Sequence, residues 1–209
     1  MKSCCSITSR TKKCKRKDRK RLVFKNIILS MNTMDDIIKL YENFGHSEYY
    51  GECVSKTDHM LQTAEAAEKK GEKNHLVLAC LLHDIGHFLE KDDMNGLGVI
   101  EHGKLGADFL RQLGMSEIVC ILVENHVNAK KYLVSKNPDY YHNLSDASKK
   151  TLEFQGGKMS SEEMEAFEMH PFFDDIIKMR HYDDVGKNIG KTTKNIYDYE
   201  PLISNYLRY

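Results

Sequence analysis

From residue 33 onward, apolar positions recur at helical spacing. Thr33 stands where it can cap a helix whose Ile37, Leu40, Tyr41 and Phe44 share one face, ended by Gly45. Ser55 opens a second helix carrying His59, Gln62 and Ala66, stopped by Gly71. Asn74 opens a third, which runs almost without polar interruption into His83-Asp84-Ile85-Gly86-His87. A loop with Asp92, Asp93, Gly96 and Gly98 follows. His102 begins a helix through Leu105 and Phe109 to Gly114, and Ser116 caps the next, where Ile118, Ile121, Leu122 and Val123 lead to His126. Residues 135–143 read as a loop around Pro138. Ser145 starts a short helix that Gln155-Gly156-Gly157 breaks, and Ser160 with Glu163 makes a capping box. Pro171 suits the first turn of a helix that carries Arg180 and Asp183. Ile196, Tyr199, Ile203 and Leu207 predict a last amphipathic helix. Strand alternation is scarce, and neither a repeat nor an inter-domain linker occurs after residue 32. The pattern predicts one all-α domain over residues 33–209.

Composition changes this picture only at the N-terminus. A chain of 209 residues, 41% hydrophobic and 30% charged, is long enough for one domain with a sizeable core. No apolar run approaches the roughly 20 residues of a membrane helix. The net charge of zero hides a split. Residues 1–31 hold eleven Lys/Arg and one acid, Asp18, so the remainder is acidic by the same margin. The block TKKCKRKDRKR has no apolar face to bury and predicts a disordered basic tail over 1–32. Targeting, a weak nucleic-acid or anionic-membrane patch, lipidation at Cys4 and Cys5, and a translation start at Met31 or Met34 all remain open for it. The six cysteines (4, 5, 14, 53, 80 and 120) form no CxxC pair. That suits a reducing compartment and predicts a cytoplasmic protein, with organelle targeting left open by the tail. The core domain carries no sign of nucleic-acid binding, and the sequence does not set an oligomeric state.

The chemistry concentrates in six residues. His83 and Asp84 put a nitrogen donor and a potentially bridging carboxylate side by side at the end of an apolar segment. A buried carboxylate is costly unless it is paired or bound to a cation. His59, His102, His126 and Asp183 lie on or beside other predicted helices. Four His and two carboxylates form a hard-to-borderline donor set that suits Fe or Mn. The set exceeds what one open metal site needs. If Asp84 bridges, then His59, His83 and Asp183 hold one ion and His102 with His126 the other. Asp183 is preferred to Asp184 because it follows Arg180 by three residues on one helical face. Lys130 lies one turn after His126, so its ammonium can point toward the metals. A fork-shaped guanidinium and a point-charge ammonium beside a metal pair suit a phosphonate or phosphate. His46, His75, His142, His170 and His181 are read as ordinary surface or core histidines.

The motif HDIGH, with an upstream His59 and a downstream Asp, resembles the HD-domain metalloprotein superfamily, many of whose members are phosphohydrolases. Further stretches resemble a narrower group within it, the mixed-valent di-iron oxygenases. They are YYGECVSKTDHMLQTA (49–64), LLHDIGHF (81–88), EHGKLGADFL (101–110), ENHVNAKKYL (124–133), YYHNLSDASKKTLEFQGGKMSSEE (140–163) and IIKMRHYDDVGK (176–187). Together they cover nearly all of residues 49–187. The resemblance implies an HD-type helical bundle with a dinuclear centre in its core. It implies two iron ions, mixed-valent Fe(II)/Fe(III), held by His59, His83, Asp84, His102, His126 and Asp183, with Asp84 bridging. It also implies a lid in which Tyr49 and Glu52 guard the iron until substrate arrives, a phosphonate site at Lys130, Ser148 and Arg180, and a histidine near substrate at His87. The compact segment between HDIGH and His102 and the basic tail depart from the family pattern.

The implied activity is oxygen-dependent cleavage of the C–P bond of a 1-hydroxyphosphonate, such as 2-amino-1-hydroxyethylphosphonate or its N-trimethyl form. The products would be a carboxylate (glycine or glycine betaine) and phosphate. The alternative is an HD-type phosphohydrolase using metal-activated water on a phosphomonoester or nucleotide; it gives no reason for the Tyr49/Glu52 pair. A non-enzymatic binding protein would be marked by lost ligands, and none of the six is missing. The amine end of the substrate stays open. A free ammonium wants hydrogen-bond acceptors and a trimethylammonium wants aromatic faces, which Tyr49, Tyr50, Tyr140 and Tyr141 could offer.

Overall fold

The computed structural model describes residues 33–47, 52–90, 94–189 and 194–207, all within one compact unit, Thr33–Tyr209. The expectations for residues 1–32, and those for Tyr49, Tyr50, Asp92 and Asp93, lie outside the described residues. The described chain is helical, without a strand; an isolated bridge joins Met115 and Leu207. The elements are α1 (Met34–Phe44), α2 (Lys56–Lys69), α3 (Asn74–Leu82), a 3-10 turn (Ile85–Phe88), α4 (His102–Gln112) and α5 (Glu117–Lys136). They continue as α6 (Pro138–Asn143), α7 (Asp146–Phe154), α8 (Ser161–Glu168), α9 (Phe173–Val185), a second 3-10 turn (Ile196–Tyr199) and α10 (Glu200–Tyr206).

The third helix is the axis of the core. Every residue from Leu76 to Leu82 is buried, as expected of a helix that is apolar on all sides. Helices α2, α5 and α9 pack around it, and α4 lies against α5 and the 3-10 turn. Burying such a run contributes roughly 1.5–3 kcal/mol for each large aliphatic side chain. The rigidity gained there carries directly into His83 and Asp84, which follow within two residues.

Local signals explain most of the boundaries. Thr33 and Asp36 close a capping box, Ser55 accepts from the Asp58 N–H, and Gly71 takes a positive φ of 72° after α2. Gly156 and Gly157, at φ 94° and 73°, end the α7 segment, and Ser160 and Glu163 bond each other's backbone N–H groups.

Several expectations differ from the structure. Residues 135–143 are not a loop: α5 runs on to Lys136 and Pro138 starts α6 at a position where its missing N–H costs nothing. Asn137 makes the corner, ending α5 while its side chain accepts from the Asp139 N–H. Ser116 occupies its cap position without a side-chain bond. Gly45 has a right-handed φ of −72°, so left-handed geometry does not account for it; a Cβ there would overlap the Thr57 side chain. Pro171 lies two residues ahead of α9, in the turn before it. The last amphipathic helix is divided into a 3-10 turn and α10, although Ile196, Tyr199, Ile203 and Leu207 are all buried as the pattern requires. Among the described residues no helix is long and apolar enough to cross a membrane.

Candidate metal centre

Five elements bring the six candidate ligands together. α2 supplies His59, the end of α3 supplies His83 and Asp84, α4 supplies His102, α5 supplies His126, and α9 supplies Asp183. All six are at most 5% exposed. They form two triads, each able to hold a metal ion: His59, His83 and Asp183, and Asp84, His102 and His126.

Asp84 lies between them. Its Oδ2 is 3.7 Å from His59 Nε2 and 3.5 Å from His83 Nε2. Its Oδ1 is 3.3 Å from His102 Nε2 and 3.5 Å from His126 Nε2. One carboxylate therefore turns one oxygen toward each triad.

The backbone decides which nitrogen of each imidazole faces the centre. The Nδ1 atoms of His59, His83, His102 and His126 lie 2.9, 2.8, 2.7 and 2.7 Å from the carbonyls of Gly186, Cys80, Val99 and Val123. A carbonyl only accepts, so each Nδ1 carries the proton and donates. Each Nε2 is then a bare lone pair aimed inward, the arrangement that orients metal-binding imidazoles. Burial, chiefly, lowers the pKa of His83 and pushes that of His102 well below its ordinary value, which keeps both rings neutral.

Bare Nε2 atoms approach each other at 3.1 Å (His59 and His83) and 2.9 Å (His102 and His126). With the protons on Nδ1 these contacts are not hydrogen bonds. Asp84 Oδ2 and Asp183 Oδ1 are buried without a hydrogen-bond partner. Burial would raise both carboxyl pKa values. Instead, both stay well below the carboxylate range, Asp183 chiefly through the Arg180 guanidinium bound to it. Converging lone pairs and orphaned carboxylate oxygens fit a pair of cations. The N/O donor set suits first-row metals of intermediate hardness.

Glycines let the ligand-bearing segments approach this closely. A Cβ on Gly86 would overlap the His102 carbonyl, so the glycine of HDIGH admits α4 against the turn. A Cβ on Gly186 would overlap the Thr63 hydroxyl and crowd the His59 backbone. That closeness places the Gly186 carbonyl on His59 Nδ1.

His87 faces the same centre with the opposite polarity. The Val99 N–H donates to its Nδ1 at 3.1 Å, so the ring proton sits on Nε2, 3.8 Å from Asp84 Oδ1. Burial pushes its pKa down to about 4. His87 is therefore a neutral hydrogen-bond donor stacked on His102, with ring centroids 3.9 Å apart. One residue, Val99, sets both tautomers, through its N–H for His87 and its carbonyl for His102.

A cavity of about 40 Å³ opens on the centre, lined by Asp84, His87, His102, His126 and Asp183 together with Lys130, Ser148 and Arg180. Lys130 donates to Thr151 Oγ1 at 3.0 Å, and burial, aided by Arg180, lowers its pKa to about 7. Arg180 lines the cavity but is largely engaged. Nη1 and Nη2 donate to Asp183 Oδ2 and Asp184 Oδ1, and Nε donates to Tyr140 at 2.9 Å. Three of its five N–H groups are thus used, and it holds Asp183 as much as it faces the cavity. Asp184, the competitor of Asp183, lies outside both triads and accepts from Arg180 and Tyr140 instead. Tyr140 and Tyr141 pack against Val134, Leu144 and Leu152 and do not line the cavity.

Sequence reasoning missed Lys187. Its Nζ is 2.8 Å from Glu52 Oε1 and 3.2 Å from Ser148 Oγ. It therefore ties the carboxylate expected in the lid to a hydroxyl expected in the anion site. Lys187 lies two residues past the end of α9, so no helical spacing from Asp183 could have pointed to it.

Two histidine–carboxylate clusters that could each hold a metal ion, each with one residue of the HD pair, thus stand in an all-helical core. The chain belongs to the HD domain family, whose model matches residues 57–169. Arg180, Asp183 and Lys187 lie beyond that match. An uncharacterized protein of Acanthamoeba polyphaga mimivirus is 43% identical over 87% of this chain and 83% of its own length. The [1-hydroxy-2-(trimethylamino)ethyl]phosphonate dioxygenase (glycine-betaine-forming) of Leisingera caerulea is 36% identical over 82% of this chain and 89% of its own. The hydroxymethylphosphonate dioxygenase of Gimesia maris is 34% identical over 83% and 87%. Within the HD family, this chain is a relative of phosphonate dioxygenases.

Proposed function

We propose that this protein is an iron- and O2-dependent dioxygenase that cleaves the C–P bond of a 1-hydroxyphosphonate. The observation that carries the reading is Asp84, whose two oxygens each face a separate histidine-containing triad beside a cavity that also holds two buried cations. The names of the Leisingera and Gimesia relatives support the same chemistry. His59, His83 and Asp183 would hold one iron, His102 and His126 the other, and Asp84 would bridge them. Two bound irons, poised as an Fe(II)/Fe(III) pair, would supply the activation of dioxygen.

The reaction takes R–CH(OH)–PO3(2−) and O2 to R–COO(−), HPO4(2−) and a proton. The four electrons accepted by O2 come from the C1–H and C1–P bonds, which both break. The chain's own residues prepare the substrate for this. Lys130 and the two remaining N–H groups of Arg180 neutralise and orient the phosphonate. His87 offers Nε2–H to an oxygen on the substrate. Ser148 donates its hydroxyl at the edge of the anion site. Glu52 with Tyr49 would close the entrance, and the burial of the six candidate ligands, Lys130 and Arg180 limits access of water to the centre.

The test is phosphate release from 1-hydroxyphosphonates by the iron-loaded protein, with and without oxygen. Release that requires oxygen, with about two irons per chain, supports the reading. Equal release under strict anaerobiosis, or activity with Mn or Co alone, would reassign the site to hydrolysis.

A further inference from the structure

Arg180, Asp183 and Asp184 stand at positions i, i+3 and i+4 of α9, so one guanidinium meets two carboxylates on one side of the helix. The two carboxylates are used differently. Asp183 gives Arg180 its Oδ2 and keeps Oδ1 3.1 Å from His59 Nε2 and 3.7 Å from His83 Nε2. Asp184 gives Oδ1 to Arg180 Nη2 and Oδ2 to the Tyr140 hydroxyl, 2.6 Å away. Tyr140 in turn accepts from Arg180 Nε at 2.9 Å.

These contacts close a ring that runs from Arg180 Nε to Tyr140, from Tyr140 to Asp184, and from Asp184 back to Arg180 Nη2. Every direction in it is forced. A guanidinium only donates and an ionised carboxylate only accepts, so the phenol must accept from the one and donate its single proton to the other. Burial pushes the Tyr140 pKa above its ordinary value, which keeps that proton in place. Tyr140 arrives from α6, 40 residues before Arg180, with its ring packed on Val134, Leu144 and Leu152. Neither Tyr140 nor Asp184 lines the cavity or belongs to a triad, and the reaction described above makes no use of them.

We propose that Tyr140 and Asp184 are positioning residues for the metal centre. Their ring fixes the guanidinium plane of Arg180, and Arg180 then holds Asp183 Oδ2 so that Oδ1 stays turned toward His59 and His83. A planar fork anchored on its Nε edge and on both ends passes orientation along, which a point-charge ammonium would not. With the ring opened, Arg180 regains rotamer freedom, and the Asp183 carboxylate can turn its oxygens away from the triad. This assignment rests on the reading above only for a metal ion in the His59, His83 and Asp183 triad, and not for the dioxygenase chemistry.

The experiment loads the full chain with iron under argon, adds a chelator and follows iron release over time. In wild type the ion held by Asp183 should leave in the slower phase, since His59 and His83 are fully buried; His126→Ala, which disrupts the other triad, assigns that phase. Tyr140→Phe and Asp184→Asn should each speed it about 10-fold, the low end for partners that orient a metal ligand, and leave the faster phase unchanged. The double variant should be no faster than the faster single one, because either substitution opens the same ring. Tyr141→Phe, in the same apolar cluster, should alter neither phase. A slower phase unchanged in both single variants, equal acceleration of both phases, or additive acceleration in the double variant overturns the assignment. A wild type that retains no iron in this triad sinks the metal reading and the positioning role together. The expected release pattern without oxygen-dependent phosphate formation sinks the dioxygenase reading alone.

Discussion

The two triads contain the same kinds of donor and differ in what lies against them. His59 and His83 are fully buried and sit away from the cavity; only Asp183 of their triad reaches its wall, with Arg180 bound to its other oxygen. Asp84, His102 and His126 all line the cavity, beside Lys130 and His87. The first triad is built from helices packed on the apolar α3. The second is built where α4 and α5 meet the turn that follows α3. A closed site suits a permanently held ion, and an open one suits an ion that must exchange ligands during turnover.

The most severe test removes Asp84, whose two oxygens face the two triads. Asp84→Ala should take iron content from about two per chain to near zero, read by metal analysis. Retention of both irons would break the bridging assignment. Chelation is the next most telling measurement. A chelator should strip the loaded protein in two phases, with the ion of the cavity-facing triad leaving first. His126→Ala should remove the fast phase and spare the slow one. A single phase for both ions would mean that the sealed and open triads do not differ in access.

The cavity side can be probed without touching a ligand. Lys130→Ala should keep the iron content near normal and raise KM about 30- to 100-fold, the worth of a lost charge-assisted contact. Loss of iron in that variant would place Lys130 in the support of the metal centre. The smallest expected effect is that of Lys187→Met. Removing this half-buried link between Glu52 and Ser148 should alter KM by only about 2- to 10-fold. A collapse of kcat with unaltered KM would instead give Lys187 a part in the chemical step.

Much of the fold was legible in the chain because its signals are local. The capping pair Thr33/Asp36, the break at Gly156-Gly157 and the uniformly apolar α3 each act within a few residues. The failures share one origin. Residues 135–143 look like a loop because of Pro138, yet proline is harmless at the start of α6 and Asn137 turns the corner. Gly45 looks like a left-handed cap, yet the approach of Thr57 is what requires a glycine there.

By itself, the sequence picked out six candidate ligands, chiefly because a run of apolar positions ending in His83-Asp84 must bury a charge that then needs a cation; the structure brings all six together. It also predicted an all-helical domain over residues 33–209, and the described residues are helical. Only the tertiary structure decided how those residues divide. Four Nδ1 atoms bonded to backbone carbonyls turn the Nε2 lone pairs of His59, His83, His102 and His126 inward, where they could hold metal, while one N–H from Val99 makes His87 a donor instead. The physical reason is that a histidine's role depends on which partner meets each nitrogen. Partners such as Gly186, 127 residues from His59, become neighbours only when the helices pack.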